Sequence, residues 1–302
     1  MAQNLIDLRR RIRSVRNTQK STMAMKTVSS VKLRRSVTEI TYSRPALRKI
    51  ESVLRRIKKI SHQKHDHIES NDFLKERETG RTVLVAVSAD KGLCGAFNAR
   101  INAEAEAHFK ELEIRDNESP LLVTVGNKAT QYFSKRGYPF AHSYTSMMSR
   151  LKYEHALALS EYLQSVFLKP EASYIRSVEL VYTEYVSTSR QEVKTLQLLP
   201  LNIPWKREDD DTENQDMDYI FEPSLEDIFN YLLPKYIDSM VYRILLQSSA
   251  SENAARMVAM DKATRNASDM IQNLTLTLNK MRQASITNEL LEIITATEAL
   301  NQ

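Results

Sequence analysis

Glycine and proline are scarce in this chain, with 5 Gly and 8 Pro among 302 residues, well below ordinary usage. Their placement excludes more than their number does. Neither occurs before Pro45 or after Pro234, which leaves the last 68 residues clear. Both ends therefore lack the residues that interrupt helices, and two long helices are predicted to bracket a globular middle. Cysteine is reduced to Cys94, which excludes an internal disulfide and fits a reducing compartment. No run of about 18 apolar residues is present, so no membrane-spanning helix is expected. The N-terminus lacks the apolar core of a signal peptide. It is Arg-rich and amphipathic, as transit peptides are, but its helical pattern runs on towards residue 60, which suits a structural helix better.

Charge is abundant and uneven. Residues 1–60 hold 17 Lys and Arg against Asp7, Glu39 and Glu51, a local balance of +14 in a chain of +5 overall, so the remainder carries about −9. Such polarity predicts an acidic partner near the N-terminus; nucleic acid, an anionic membrane and an acidic protein all satisfy it.

Residues 3–60 read as helix. Leu5, Leu8, Ile12 and Val15, then Leu47, Ile50, Leu54 and Ile57, recur in steps of three and four, as in a coiled-coil seam. The seam weakens through Gln19, Thr22 and Lys26. Pro45 either kinks this helix or begins a second segment. Residues 61–80 are polar and read as a linker. The period then changes. Strands are predicted at Thr82–Ser88, Leu121–Val125, Val178–Val186 and Val193–Leu199, with helices at Asn98–Leu112, Asn127–Arg136 and Leu151–Leu168. Alternation of the earlier strands with helices implies βαβ units on a mainly parallel, Rossmann-like sheet. Ser187–Arg190 turns the last pair into an antiparallel hairpin. Residues 206–218 hold seven acids and read as a solvated loop. A final helix starts between Leu225 and Pro234 and runs to about Leu300, with a seam at Ile271, Leu274, Leu278 and Met281. From Pro234 it would span about 100 Å, too long for a domain of this size to cover. The two end helices, if paired, run antiparallel, and the longer C-terminal one projects past its partner. The fold class is thus mixed α/β: a coiled coil of the terminal helices with a central α/β domain, divided as 1–60, 61–223 and 224–302.

Candidate chemistry is thin. The loop Asp90–Gly95 follows a strand and precedes a helix, where phosphates bind, but it matches no established phosphate-binding pattern and reads as a two-glycine turn. Cys94 has no identifiable base and reads as a small packing residue. His62, His65 and His67 lack the further ligands of a zinc site. The basic N-terminal helix would suit a nucleic-acid groove, although its bases are spread along the whole segment. The sequons at Asn266 and Asn273 fall inside a continuous helix. No catalytic, cofactor or metal residues are predicted.

Four segments resemble the gamma subunit of the F-type ATP synthase: Ile12–Arg35, Ser88–Asn98 (SADKGLCGAFN), Tyr219–Pro223 (YIFEP) and Ser251–Glu292. They occur in the family's order and spacing. One departure is Ala296-Thr297, where the family usually has Gly-Ala; alanine favours helix more than glycine does.

The resemblance implies a non-catalytic rotor. Its shaft stands in an alpha/beta hexamer, and its base binds the epsilon subunit and the membrane ring of c subunits. Rotation then drives each beta subunit through states of different nucleotide affinity. Carried over by residue, Arg282, Gln283, Thr287 and Glu289 match contacts with a beta catch loop, and Met25 a position near beta's acidic lever. Tyr219 and Glu222 match positions facing epsilon and the c ring. No cofactor and no nucleic acid are expected, and membrane association comes only through the complex. A bacterial inner membrane, cytoplasmic side, is the expected location. Residues 206–218 occupy roughly the place of a two-cysteine insertion in chloroplast relatives; without those cysteines, thiol regulation of that kind is not expected. The reading from another class that remains is a basic coiled-coil nucleic-acid-binding protein.

Overall fold

The computed structural model describes residues 2–64, 71–168, 175–202, 222 and 224–300. The acidic stretch 206–218, His65, His67 and Tyr219 lie outside them, as does the side chain of His62. The elements are α1 (Ala2–Lys64), β1 (Arg81–Val87), α2 (Phe97–Asp116), β2 (Leu121–Val125), α3 (Asn127–Lys135), β3 (Phe140–Tyr144), α4 (Tyr153–Leu168), β4 (Ile175–Tyr185), β5 (Gln191–Leu199) and α5 (Leu225–Leu300). By contacts the chain forms two compact units, one of residues 1–30 with 256–302, the other of residues 31–255. Each long helix contributes to both.

In the larger unit the sheet order is β3-β2-β1-β4-β5. β1 pairs in parallel with β2 and β4, β2 in parallel with β3, and β4 antiparallel with β5. The parallel core and the hairpin are as expected. β1 is flanked on both edges, which accounts for its apolar run. Its alternate residues serve two faces. Leu84 and Ala86 meet Ile101, Phe109 and Leu112 of α2 and Phe133 of α3. Val83, Val85 and Val87 join Leu159 and Phe167 of α4, Leu54 and Ile57 of α1, and Phe229, Ile237 and Leu245 of α5.

The end of α1 and the strand β3 differ from expectation, and the prolines Pro45 and Pro234 settle what the sequence left open. The polar segment after residue 60 continues α1 to Lys64 before any loop begins. β3 carries no apolar alternation because it is an exposed edge strand; Phe140, Ala141 and His142 all face solvent. Both prolines lie inside helices, Pro45 in α1 and Pro234 in α5. Pro45 is exposed, so the carbonyl that its missing N–H leaves unpaired can bond to water. The start of α5 is set by Ser224, whose hydroxyl oxygen accepts the Asp227 N–H at 3.0 Å while its proton goes to the Asp227 carboxylate at 2.7 Å. That is the N-cap half of a capping box, with the Asp227 carboxylate bonded to the serine hydroxyl.

In the smaller unit, α1 and α5 are antiparallel partners. Three side-chain bonds define the register: Gln19 to Ser268 at 2.7 Å, Thr22 with Thr264 at 2.8 Å and Lys26 to Asp261 at 2.6 Å. The positions that appear to weaken the seam are thus its polar layers. Continued outward, the same register sets Val15 against Ile271, Ile12 against Leu274, Leu8 against Leu278 and Leu5 against Met281. All eight are buried or half-buried, while their neighbours Leu276 and Ile6 stay exposed. In this register Ala2 of α1 falls near Ser285, and among the described residues no helix lies opposite α5 much beyond it. From Ile286 to Thr297 every side chain is exposed.

Leu274→Asp is expected to destabilise this pair by about 2–4 kcal/mol, through lost apolar burial and a carboxylate left in the seam. Leu276→Asp, on the outer face, should be tolerated. Thermal melts of helicity check this; equal midpoints for the two variants would place the seam elsewhere.

Candidate functional site

The loop after β1 was the best candidate for binding a phosphate, which would need unoccupied backbone N–H groups. Its side chains and the Ala89 carbonyl turn instead to the N–H groups at the start of α3 and in the segment after β3. Asp90 Oδ1 accepts the N–H groups of Asn127 at 3.2 Å and Ser146 at 3.0 Å, and Oδ2 accepts that of Ser149 at 2.7 Å. Ser88 Oγ accepts from Ala129 N at 2.6 Å, and the Ala89 carbonyl from Lys128 N at 3.0 Å. The N-terminus of α3 is therefore capped by the β1 loop. Asn98 folds the other half of the loop, accepting from Ala89 N at 3.1 Å and donating to Cys94 Sγ at 3.1 Å. Cys94 is buried with Ala89, Phe97 and Ala255, in a packing role. Gly126, at φ 91°, is required for the close approach of β2 to this loop: a Cβ there would lie 2.3 Å from the Ser88 carbonyl oxygen.

The richest charged cluster lies between α2 and the sheet. His108 Nε2 is 2.7 Å from Glu179 and its Nδ1 3.3 Å from Glu111. Arg115 reaches both Glu179, at 3.1 Å, and Asp116, at 2.9 Å, while Arg176 reaches Asp116 at 3.1 Å. Thr82 and Ser177 donate their hydroxyls to Asp116 and Glu179. The bond to Glu179 raises the His108 pKa against the opposing effect of burial. Burial disfavours the Glu179 charge, but His108 and Arg115 outweigh it and hold its pKa below the usual range. Every member is spent on another, so the cluster joins α2 to β1 and β4. Among the described residues no group of His, Cys, Asp and Glu is arranged to hold a metal ion, and no helix is long and apolar enough to cross a membrane.

The predicted contact residues lie in two places. Arg282, Gln283, Thr287 and Glu289 are all exposed on the last turns of α5. At about 100° per residue, Arg282 and Glu289 share one line on the helix, and Gln283 and Thr287 another, roughly 120° away. The Thr287 hydroxyl bonds the Gln283 carbonyl at 3.0 Å, and Glu289 accepts from Ser285 at 3.1 Å. Apolar side chains stand among them, with Ile286, Leu290, Leu291, Ile293 and Ile294 each at least half exposed. Met25 is exposed on α1 beside the Lys26–Asp261 pair. Glu222, just before α5, is exposed; Tyr219 lies outside the described residues. The polar layers Gln19–Ser268 and Thr22–Thr264 were not anticipated. Their signal was polar residues falling on a seam period, which is read first as a gap.

The geometry defines a helical-pair protein carrying an α/β unit whose loop groups bond to the chain itself. A family profile described as ATP synthase matches residues 4–300. The ATP synthase gamma chain of Desulforamulus reducens is 38% identical over 294 residues, 97% of this chain and 98% of that one. That of Pelotomaculum thermopropionicum is 39% identical over 298 residues, 98% and 99% of the two chains. Among solved structures, a chain of the central stalk and c-ring of the Tetrahymena thermophila mitochondrial ATP synthase matches at 26% identity and a TM-score of 0.56. It covers 80% of this chain and 98% of that one. The chain belongs to the ATP synthase gamma-chain family.

The His108 cluster makes stability depend on pH. Because folding raises the His108 pKa, its contribution is complete below the unfolded value of about 6.5 and is lost as pH rises through the higher folded value. The melting temperature should therefore fall between about pH 6 and pH 8, and His108→Gln should flatten that slope. An unchanged slope in the variant would remove His108 as its source.

Proposed function

We propose that this chain is the central rotor stalk of a proton-translocating F-type ATP synthase. It couples rotation of a membrane ring to conformational change at the nucleotide sites of the beta subunits. The chain itself catalyses nothing. One observation carries the reading beyond family membership: α5 continues past the end of α1 as exposed helix, with Ile286, Leu290, Leu291, Ile293 and Ile294 among uncharged polar residues and a few charges. A large exposed apolar surface calls for a partner, and a tip turning inside an apolar sleeve has one at every angle. Its last stretch, from Ile286, carries only Glu289, Glu292 and Glu298 as charges, which limits directional bonds that would stall rotation.

In this reading residues 1–60 and 224–302 form the shaft and 61–223 the base. Arg282, Gln283, Thr287 and Glu289 meet a beta loop in one rotary state and release it in the next. Coupling of this kind requires different contacts in the different beta states. Met25 lies near an acidic lever of beta, towards which the +14 N-terminal segment is attracted. Tyr219 and Glu222 face epsilon and the c ring. The alpha/beta hexamer, epsilon and the c ring are the partners, and the complex sits on the cytoplasmic side of a bacterial inner membrane. The nucleic-acid reading has no further support: the basic helix is accounted for by an acidic protein partner.

Two measurements test this. Affinity purification from solubilised membranes should recover alpha, beta, epsilon and c subunits; recovery of nucleic acid instead would overturn the reading. In the purified complex, Arg282→Ala with Gln283→Ala should assemble normally and lower steady-state ATP turnover with helicity unchanged. Unaltered hydrolysis and unaltered ATP-driven pumping would show both residues to be solvated and of little consequence.

A further inference from the structure

β4 outruns β1. Their pairing ends at Ala86 with Val181, whereas β4 stays paired with β5 as far as Tyr185. Among the described residues no strand lies beside the β1-side edge of β4 beyond Val181, and its polar groups need other partners. Two side chains of α5 supply them. Gln247 Oε1 accepts the Tyr185 N–H at 3.0 Å, and the Ser251 hydroxyl donates to the Thr183 carbonyl at 3.1 Å. Thr183 and Tyr185 are two apart on the strand and share an edge. Gln247 and Ser251 are four apart on the helix and share a face. The helix thus stands where the continuation of β1 would be, matched to the backbone repeat of β4.

The surroundings close this joint. From Ile244 to Ala254 every residue of α5 is buried, three turns without an exposed side chain. Ser249 approaches Ser36 of α1 at 3.4 Å, and Ala255 packs on the Ala89, Cys94 and Phe97 cluster. Apolar contacts hold a helix against a sheet but permit it to turn or slide by small amounts. Two bonds to successive edge groups of one strand do not.

We propose that Gln247 and Ser251 are positioning residues that lock α5 to β4 in rotation and along its axis, so that torque applied to the α/β unit enters α5 at this joint. The inference rests on the rotor reading above. That reading is judged on the parent complex, which must couple hydrolysis to pumping. The joint is judged on variants of that complex.

The test uses the assembled complex carrying Gln247→Met with Ser251→Ala, near-isosteric changes that remove the acceptor and the donor. ATP hydrolysis is expected to persist while ion pumping per ATP hydrolysed falls several-fold. Phe229→Leu, a core change remote from these bonds, is the control: it should lower thermal stability and leave the pumping ratio at the parent value. A pumping ratio in the double variant equal to that of the parent, or lowered no more than by Phe229→Leu, would overturn the proposal. Should the double variant not assemble, hydrogen exchange in the isolated chain decides. With Gln247→Met the Tyr185 amide should exchange faster while that of Val181 does not, and unchanged Tyr185 exchange would overturn it.

Discussion

A 76-residue helix has far more surface than any small domain can cover, and helices in water draw most of their stability from packing rather than from propensity. The stripe that α5 buries is therefore the constraint on which the rest of the structure depends. α1 answers it in kind. Its protected positions recur in steps of three and four from Leu5 to Ser61 without a break, although the residues at them change from apolar to polar and back. In the smaller unit the pair is closed by successive apolar layers, half-buried except at Ile12, each side chain contributing less than the about 1.5–3 kcal/mol of a fully buried Leu or Ile. The polar layers at Gln19, Thr22 and Lys26 add little by comparison. They fix which groups face each other, a use of seam polarity known from coiled coils in general.

In the larger unit the same two helices lie against a sheet, and the problem changes from covering a stripe to satisfying a backbone. The ends of β1 and β4 and the start of α3 present polar backbone groups in a buried setting. The chain meets this with short polar side chains: Asp90 and Ser88 at the start of α3, Asn98 within the loop, and Gln247 and Ser251 along β4. Buried polar groups of this kind are costly unless bonded, and their bonds are directional. These residues therefore determine orientation, whereas the Val, Leu and Phe clusters on either face of the sheet determine cohesion.

The loop after β1, whose place in the fold suits a nucleotide, is joined to its neighbours in the same way. The glycines permit the turn, and Asp90 and Ser88 reach across it to accept the N–H groups at the start of α3. A protein whose work is to transmit force has use for loops locked to their neighbours. A catalytic loop would have to leave groups open.

Much of the architecture was legible in residue order. The scarcity of Gly and Pro marked both long helices, the β-branched run marked β1, and the strand–helix alternation implied the parallel sheet, because each is a local or periodic property. The family resemblance was legible in the same way, from segments such as Ser251–Glu292. Three things were settled only in the tertiary structure. β3 escaped notice because an exposed edge strand needs no apolar face. Gln19, Thr22 and Lys26 looked like a failing seam because a polar side chain on a buried period reads as a defect until its partner, here Ser268, Thr264 or Asp261, is seen. Gln247 and Ser251 looked like ordinary polar residues on a helix. Their significance comes from β1 ending short of β4, a mismatch in strand length that no spacing along the chain encodes.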